Sequence, residues 1–351
     1  SEAIAPEPDR LACARIGSKR VITRRSALLG VAGAAAGVAS LPRASAQGSW
    51  APSRTVTIVV PYPAGGAVDV LARIVAQEIQ GPLGQSVVVE NQPGASGALG
   101  TRRVARAEPD GHTLVLSTNQ THATNISLLP DGGGYDPVKD FTTLGGLADL
   151  QHLLVTRKDL AASNVAELLA LARTPGRELT CASTGLGSAS HLTMELFKAR
   201  TGINLVHVPY RGAAPMLQDL IGGRVDLSFA TVPTVLGQVQ GQELRALAVA
   251  SPRPSSHLPD LPTLASAGVT GVEADAWCAI FAPAGITPAI RTRYRDVIKA
   301  ALDKADVQAS VAKQGMSLNW REPEAFAAFQ QADVTRWADI IKAAKIEPIK
   351  N

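Results

Sequence analysis

Short apolar runs rich in β-branched residues alternate with segments of helical period along almost the whole chain. The first of these units spans residues 56–79, where an apolar run ends at a proline, passes two glycines and continues with apolar residues at helical spacing. The same order of strand, loop and helix signals then recurs, without a repeat of fixed period. Strands that alternate with helices in this way predict an α/β fold with mainly parallel sheets flanked by helices.

The first 46 residues have the composition of an export signal. Basic residues precede the uncharged run 27–41, and residues 44–46 (Ala-Ser-Ala) form a cleavage site of the small-x-small type. The run is too short and too rich in alanine and glycine for a membrane anchor, which is the alternative interpretation. The adjacent Arg24 and Arg25 favour the twin-arginine route over the general secretory route. We therefore expect cleavage after Ala46 and residence in the periplasm.

Charge is distributed unevenly between this segment and the rest of the chain. The whole sequence has a formal charge of +4, and residues 1–46 hold seven basic and three acidic residues. The remaining 305 residues carry 27 of each sign and are neutral overall. A neutral body has no general attraction for nucleic acid or for anionic membranes. Because 305 residues exceed the usual size of a single core, we expect two α/β domains.

The three cysteines give little guidance on function. Cys13 lies in the export segment, whereas Cys181 and Cys278 each lie in an apolar, strand-like run. We expect buried free thiols at both positions, although a disulfide between them stays open at this point.

Several enzyme signatures are absent from the sequence. It contains no dinucleotide-binding, P-loop or G-x-S-x-G motif, and its six histidines are scattered. We therefore expect no cofactor and no metal site. Ser188 and His191 lie three residues apart, as a catalytic pair on one helix face would. A loop serine followed by a structural histidine is the commoner arrangement.

Loops rich in glycine and hydroxyl residues follow several of the predicted strands. They comprise residues 61–67, 91–97, 117–122, 183–190 and 209–214. In open parallel sheets such loops meet at the carboxyl ends of the strands, where ligands bind. Glycine permits close approach to the backbone, and helix N-termini present free N–H groups with partial positive charge. Four or five such bonds to a charged group, at roughly 1.5–3 kcal/mol each, suffice for micromolar affinity. The loops therefore predict a site for a small anion.

Five segments of the chain follow one another in this order: VPYPAGGAVDVLAR, ENQPGASGALGTRRVARAEPDGHTL, YDPVKDF, STGLGSASHLTMELF and VPYRGAAPMLQDLIGGRVDLSFA. They resemble the Bug family of extracytoplasmic solute receptors. These are the binding proteins of tripartite tricarboxylate transporters. The segments occur in the family's order and cover essentially the whole mature chain. The resemblance implies a two-lobed fold of the type II periplasmic-binding-protein kind, in which each lobe is a mainly parallel sheet flanked by helices and the ligand cleft lies between the lobes.

The resemblance also implies how the chain is divided between the lobes. In the family the chain crosses between lobes twice, which places hinges near residues 153–157 and 277–283. After the export signal (1–46), the first lobe would comprise residues 47–152 and 281–351, and the second residues 153–280.

In the family one loop from each lobe holds a carboxylate, largely through backbone N–H groups and ordered waters. Carried over by position, the ligand-binding residues are Tyr62, Ala64, Gly65 and Gly66 in the first lobe and Thr184, Gly187 and Ser188 in the second, with Thr118 and Tyr210 as further wall residues.

This sequence departs from the family at two polar positions. Val68 stands where the family often has threonine, and Ala230 where it often has an acidic residue. The loss of both groups favours an acid that is less polar than citrate or aspartate. Asp69 is interpreted as a first-turn acid that interacts with the helix dipole.

These inferences predict a monomeric periplasmic receptor that captures a small organic carboxylate and meets membrane transporter subunits transiently. No chemical step, cofactor, metal or nucleic acid is implied. Two alternatives stay open: a sensory receptor for a signalling partner, and a hydrolase-like enzyme on the same scaffold that uses Ser188 with His191, or Asp69.

Overall fold

The computed structural model describes residues 50–349. The predicted export signal (1–46), its cleavage site after Ala46 and Cys13 lie outside the described residues. Within residues 50–349, every helix is too short or too polar to cross a membrane.

The described residues alternate between strands and helices, as predicted. The strands are β1 (Val56–Val60), β2 (Val87–Asn91), β3 (Thr113–Thr118), β4 (Phe141–Leu150), β5 (His152–Arg157), β6 (Leu179–Ser183), β7 (Leu205–Pro209), β8 (Leu227–Thr231), β9 (Leu244–Val249), β10 (Ala276–Pro283) and β11 (Ser317–Arg321). The helices are α1 (Ala67–Leu83), α2 (Ala98–Ala105), α3 (Asn125–Leu128), α4 (Val165–Ala172), α5 (Ala189–Thr201), α6 (Ala213–Ile221), α7 (Val232–Gln240), α8 (Pro288–Leu302), α9 (Ala305–Lys313) and α10 (Pro323–Ala343).

The strands of this part of the chain form two mixed sheets. The first has the order β11-β4-β10-β3-β1-β2 and the second the order β7-β6-β8-β5-β9. In the first sheet β1 is parallel to β2 and β3, whereas β10 is antiparallel to β3 and β4. In the second sheet β6 is parallel to β7 and β8, whereas β5 is antiparallel to β8 and β9. β5 and β10 each arrive from the other lobe, without the crossover helix that a parallel neighbour requires. β11, at the edge of the first sheet, is likewise antiparallel to its neighbour β4.

The first crossing between the sheets is a single residue. β4 ends at Leu150 in the first sheet and β5 begins at His152 in the second, so Gln151 is the connection. The Gln151 amide Nε2 donates to Ser251 Oγ and to the Arg253 carbonyl, both at 3.1 Å. These bonds join the first crossing to the segment that makes the second.

The second crossing lies between β9, which ends at Val249, and β10, which begins at Ala276. β10 pairs with β4 from Ala276 to Pro283. The boundary expected between residues 280 and 281 therefore falls inside a strand of the first sheet. All eight residues of β10 are buried. Its sequence therefore has no alternation of apolar and polar residues that would indicate which sheet it joins.

The side chains of β1 alternate between the two faces of the first sheet, and both faces are covered. Ile58 and Val60 pack in a cluster with α1 and α8, and Val59 packs in the cluster on the opposite face. A third cluster, which includes Met216 and Val235, joins α6 and α7 to the second sheet. Helices cover both faces of each sheet. The loops that follow the strands of the two sheets meet between the lobes.

Two local predictions are confirmed. Asn164 caps α4, because its Oδ1 accepts from the Glu167 amide at 2.9 Å while its Nδ2 donates to the Glu167 carboxylate at 2.8 Å. Cys181 in β6 and Cys278 in β10 are both buried free thiols, and they belong to different sheets.

Candidate functional site

A cavity of about 220 Å³ lies between the lobes, at the carboxyl ends of strands from both sheets. Loops after β1 and β3 of the first sheet and after β6, β7 and β8 of the second form its wall. Leu150, His152 and Ala276, at the two crossings, also line it. A larger open groove of about 610 Å³ runs along β9, but only residues of the second lobe line it. The smaller cavity is therefore the better candidate for a site that closes around a ligand.

Most of the ligand-binding residues expected from the sequence line this cavity. They are Tyr62, Ala64, Gly65, Gly66, Thr118, Thr184 and Ser188. Gly187 and Tyr210 do not line it. The Gly187 amide donates to His191 Nδ1 at 3.1 Å, and the Tyr210 hydroxyl donates to Asp219 Oδ2 at 2.7 Å. Burial, followed by the Asp219 carboxylate, raises the pKa of Tyr210 to about 12.

The loop after β1 is shaped by Asp69, whose side chain is buried. Its carboxylate accepts from the Gly65 amide at 2.9 Å, from the Arg73 guanidinium at 2.9 and 3.0 Å, and from Asn91 Nδ2 at 2.9 Å. Burial alone would raise the pKa of Asp69, but the hydrogen bonds from Arg73, Gly65 and Asn91 outweigh it and lower that pKa. Asp69 thus holds Gly65 in its left-handed conformation (φ 82°), and the Gly65 N–H is not free for a ligand.

The loop after β6 is also closed by its own hydrogen bonds. The Thr184 amide donates to Ser190 Oγ at 3.0 Å, and the Ser188 amide donates to the Gly185 carbonyl at 3.2 Å. The Ser188 hydroxyl donates to the same Gly185 carbonyl at 2.6 Å. The amides that sequence reasoning assigned to the ligand are therefore occupied within the loop, although Thr184 and Ser188 line the cavity.

Free amide groups are found instead at two helix N-termini that face the cavity. α1 in the first lobe and α6 in the second begin after Gly66 and Gly212, and neither helix has a side-chain cap. First-turn amides have no partner within the helix, and Ala67, Ala213 and Ala214 line the cavity. By contrast, the first amide of α7, that of Val232, donates to the Gln151 carbonyl at 2.9 Å. α1 and α6 therefore direct their positive dipole ends and unused donors at one space.

Tyr62 and Thr118 form the wall of the first lobe. The Tyr62 hydroxyl shares a hydrogen bond with Thr118 Oγ1 at 2.7 Å, and the Gln120 amide donates to the same Oγ1 at 3.2 Å. Burial raises the pKa of Tyr62, although hydrogen bonds from Ser117 and Thr118 oppose this effect. Both hydroxyl groups are therefore neutral and fixed in place.

Sequence reasoning missed several residues that line the cavity. They are Gln120, His152, Ser190, Arg211, Phe229, Thr231 and Thr234. Thr231 could have been found from the sequence, because it is a hydroxyl residue at the carboxyl end of a strand, β8. Its Oγ1 shares a hydrogen bond with Thr234 Oγ1 at 2.8 Å. The neighbouring Ala230, one of the two polar positions at which this sequence departs from the Bug family, is buried and does not line the cavity.

The geometry of Ser188 and His191 is that of a helix cap. Ser188 Oγ accepts from the His191 backbone amide at 3.3 Å, whereas the His191 ring accepts from the Gly187 amide. The serine hydroxyl therefore does not meet the imidazole. Within residues 50–349, there is no group of three or more His, Cys, Asp or Glu side chains that could hold a metal ion.

The lobes also contact each other directly. Ser96 Oγ in the first lobe donates to the Leu186 carbonyl in the second at 2.9 Å, and Gln120 Nε2 donates to the same carbonyl at 3.4 Å. Gly212 lies so near Pro63 that an added Cβ would be 3.1 Å from the proline ring. The structure is therefore a closed arrangement of the two lobes.

Comparison with known proteins agrees with this architecture. The sequence model of the tripartite tricarboxylate transporter family receptor matches residues 71–346. Protein BugT of Bordetella pertussis is 35% identical over 322 residues, covering 92% of this chain and 97% of the relative. This chain belongs to that receptor family. The resemblance seen in the sequence motifs is confirmed.

Solved structures similar to this receptor have the same fold. Rpa4515 of R. palustris, solved with adipate, has a TM-score of 0.81 and 37% identity over 85% of this chain and 99% of its own. The periplasmic binding protein BugD has a TM-score of 0.79 and 34% identity, over 85% of this chain and all of its own. MatC from Rhodopseudomonas palustris, with bound malate, has a TM-score of 0.78 and 32% identity, over 83% of this chain and 99% of its own. The predicted two-lobed α/β fold is thereby confirmed.

Proposed function

We propose that this receptor captures a small organic carboxylate between its lobes and delivers it to the membrane subunits of a tripartite transporter. One observation carries the proposal: uncapped N-termini of α1 and α6, one from each lobe, face the same cavity. Asp69 is the sole carboxylate among the described lining residues, and it is neutralised by Arg73. The cavity is therefore positive in potential and suits an anion. Relatives solved with adipate and with malate support the assignment of a carboxylate.

The amide donors are assigned to Gly66 and Ala67 in the first lobe and to Ala213 and Ala214 in the second. The cavity-lining residues Tyr62, Thr118, Thr184 and Ser188, together with Ala64 and Gly65, complete the proposed ligand-binding set. Val68, Leu150 and Phe229 line the same cavity, which supports an acid less polar than citrate or aspartate. A ligand that touches both lobes has more contacts in the closed form and shifts the population towards it. No chemical step is involved.

The location and maturation of the protein follow from the same proposal. A receptor of this family acts in the periplasm, so residues 1–46 are assigned as a twin-arginine export signal that is cleaved after Ala46. The mature chain works as a monomer and meets its transporter transiently. N-terminal sequencing of the exported protein should read Gln47 as the first residue.

Replacing Ala67 with proline tests the backbone donors directly. Proline is tolerated at the first position of a helix, where its ring Cδ replaces the N–H hydrogen and so both removes and covers this donor, and the preceding Gly66 is already extended (φ −80°, ψ 166°). A library of organic acids is screened by thermal shift, and the affinity of each hit is measured by calorimetry. We expect Ala67→Pro to weaken binding about tenfold or more, since hydrogen bonds to charged groups contribute roughly 1.5–3 kcal/mol.

The matched control is Ala305→Pro, at the exposed first position of α9. It should change neither affinity nor melting temperature. Equal affinities for the Ala67→Pro variant and the wild type would remove α1 from the site. If organic acids were turned over to product instead of binding stoichiometrically, the enzyme alternative would replace the receptor. A complex with a signalling protein's outer domain, in place of the transporter subunits, would favour the sensory alternative.

A further inference from the structure

A second chamber lies between the lobes, beside the first turns of α1 and α6. Its volume is about 180 Å³, and it shares lining residues with the cavity described above, among them Gly66, Ala67, Ala213 and Ala214. The two helix N-termini that supply the proposed amide donors therefore border both spaces. A ligand held at these N-termini has access to either of them.

Apolar side chains from both lobes line the second chamber. Val70 of α1 and Leu217 of α6 line it, and each lies three residues after Ala67 and Ala214, respectively. Residues three apart share one face of a helix, so each helix presents its N-terminal backbone and, one turn later, an apolar side chain to the same space. Val70 and Leu217 are both only partly buried, which leaves part of each side chain available to a ligand.

The turn between α9 and β11 forms another part of the chamber wall. Met316 in this turn and Pro233 of α7 line the chamber, and Met316 is buried. An added Cβ on Gly315 would lie 3.1 Å from Val232 Cγ1, so this turn of the first lobe packs directly on α7 of the second. The chamber is therefore bounded by both lobes, as the first cavity is.

The two spaces differ in charge. Among the described residues that line the second chamber, none carries a charged side chain. The first cavity, by contrast, holds the guanidinium of Arg211 and several hydroxyl residues. Burial of a charge without a partner is costly, whereas burial of apolar surface is favourable. The second chamber therefore suits the uncharged part of an acid.

We propose that the second chamber is an apolar subsite, which receives the uncharged chain of an organic acid whose carboxylate is held by the N-termini of α1 and α6. The ligand class is then an acid with an apolar chain of several carbons, and Val70 and Leu217 are specificity-determining residues. This inference rests on the proposed function, because that function places the carboxylate at the helix ends. Each methylene group that moves from water into such a site should raise the affinity about three- to fourfold.

The experiment measures how affinity depends on chain length. Calorimetry gives the dissociation constants of propionate, butyrate, valerate and hexanoate, and of succinate and malate as short polar acids. The proteins are the wild type, Val70→Phe and Leu217→Phe, whose larger rings fill the chamber from opposite lobes. Val239→Phe is the matched control, because Val239 is also a partly buried helical residue but lines the groove along β9. The melting temperature of each variant shows whether it is folded.

The three methylene groups that separate propionate from hexanoate should tighten binding to the wild type about thirtyfold. This ratio of dissociation constants should fall below about threefold in Val70→Phe and in Leu217→Phe, and it should persist in Val239→Phe. Because the two test variants alter different lobes, either one decides the question if the other does not fold.

Two results would overturn this inference: a wild-type affinity that does not rise with chain length, or an unchanged ratio in a folded Val70→Phe or Leu217→Phe variant. Binding of succinate or malate in that case leaves the proposed function intact. Should no acid of either group bind, the carboxylate site itself is rejected, and this inference with it.

Discussion

Two residues set the charge of the cleft in opposite ways. Asp69 is buried and bonded to Arg73, Asn91 and the Gly65 amide, so its negative charge is compensated. Arg211 lines the same cavity, and no carboxylate or carbonyl of residues 50–349 accepts a hydrogen bond from it. Most other arginines of this part of the chain do have such partners, for example Arg157 with Asp226. Arg211 is thus available to an anionic ligand.

Replacing Arg211 with glutamine should weaken binding of the acid about three- to tenfold. A hydrogen bond between charged groups contributes more free energy than one between neutral groups, but solvent partly screens Arg211 and reduces this contribution. The loss should be largest at low salt and shrink as salt is added. Calorimetry over a salt series measures both effects. Arg177→Gln is the control, because Arg177 is also exposed but lies just before β6, at the opposite end of that strand from the cavity. An equal loss in both variants would exclude a specific role for Arg211.

Single residues were the least predictable part of the site. The glycine and hydroxyl pattern identified the correct loops, because strand, loop and helix order is a local property of the sequence. It did not reveal that the amides of Gly65, Thr184 and Gly187 are used within their own loops. Their acceptors are side chains only four to six residues away, but the pattern does not specify which way each side chain turns. Arg211 lies in the loop 209–214 that the pattern identified, but the pattern did not single it out, and His152 lies in no motif.

At the scale of elements, the loop after β2 forms a contact between the lobes. Ala95 and Ser96 adopt left-handed backbone angles, with φ of 46° and 54°, which non-glycine residues rarely do. This conformation accompanies the bond from Ser96 Oγ to the Leu186 carbonyl in the opposite lobe. The loop therefore stabilises the closed arrangement without lining the cavity itself.

Ser96→Ala removes this bond and should raise the dissociation rate of a bound acid about two- to fivefold, in line with a neutral hydrogen bond of about 0.5–1.5 kcal/mol. Stopped-flow measurement of ligand release gives the rate. Ser256→Ala, at an exposed serine outside the cavity, should leave release unchanged. A dissociation rate for Ser96→Ala equal to that of the wild type would show that the contact does not hold the lobes together.

The order of elements was predictable, whereas the sheet to which each strand belongs was not. Periodicity located β1, α1 and the capping box at Asn164, because these depend on neighbouring residues. β10 is apolar on both faces and joins the first sheet between β3 and β4. The sheet that β10 joins is determined by contacts with strands more than a hundred residues away in the sequence. The hydrophobic periodicity of β10 itself contains no information about these contacts.

The molecule as a whole holds several histidines in neutral form. Burial lowers the pKa of His122 to about 3 and that of His152, His191 and His207 to about 4. His191 and His207 stack with ring centroids 4.2 Å apart, and His207 Nε2 bonds Ser183 Oγ at 2.6 Å. An unfolded histidine titrates near about 6.5. The unfolded chain therefore binds more protons than the folded chain between about pH 6.5 and 4.

We expect the free energy of unfolding to be greatest above about pH 6.5 and to fall as the pH is lowered towards 4. Asp275 opposes this trend. Burial raises its pKa to about 6, so on acidification the folded state binds this proton before the unfolded state does, which stabilises the folded state. Asp275→Asn should therefore make the decline steeper, while its amide oxygen still accepts from Ser251. Denaturant unfolding across this pH range tests both statements. A stability that rises on acidification would contradict the buried neutral histidines.

The position of β10 also constrains how the protein is made. Within the described residues, β4 pairs only with β10 and β11, so it has no partner until the ribosome has passed the entire second lobe. A nascent chain of half length would expose the edges of β3 and β4, and sheets that unite distant segments assemble slowly. Chaperone dependence during synthesis is the expected biological cost of a chain that leaves its first sheet and returns to complete it.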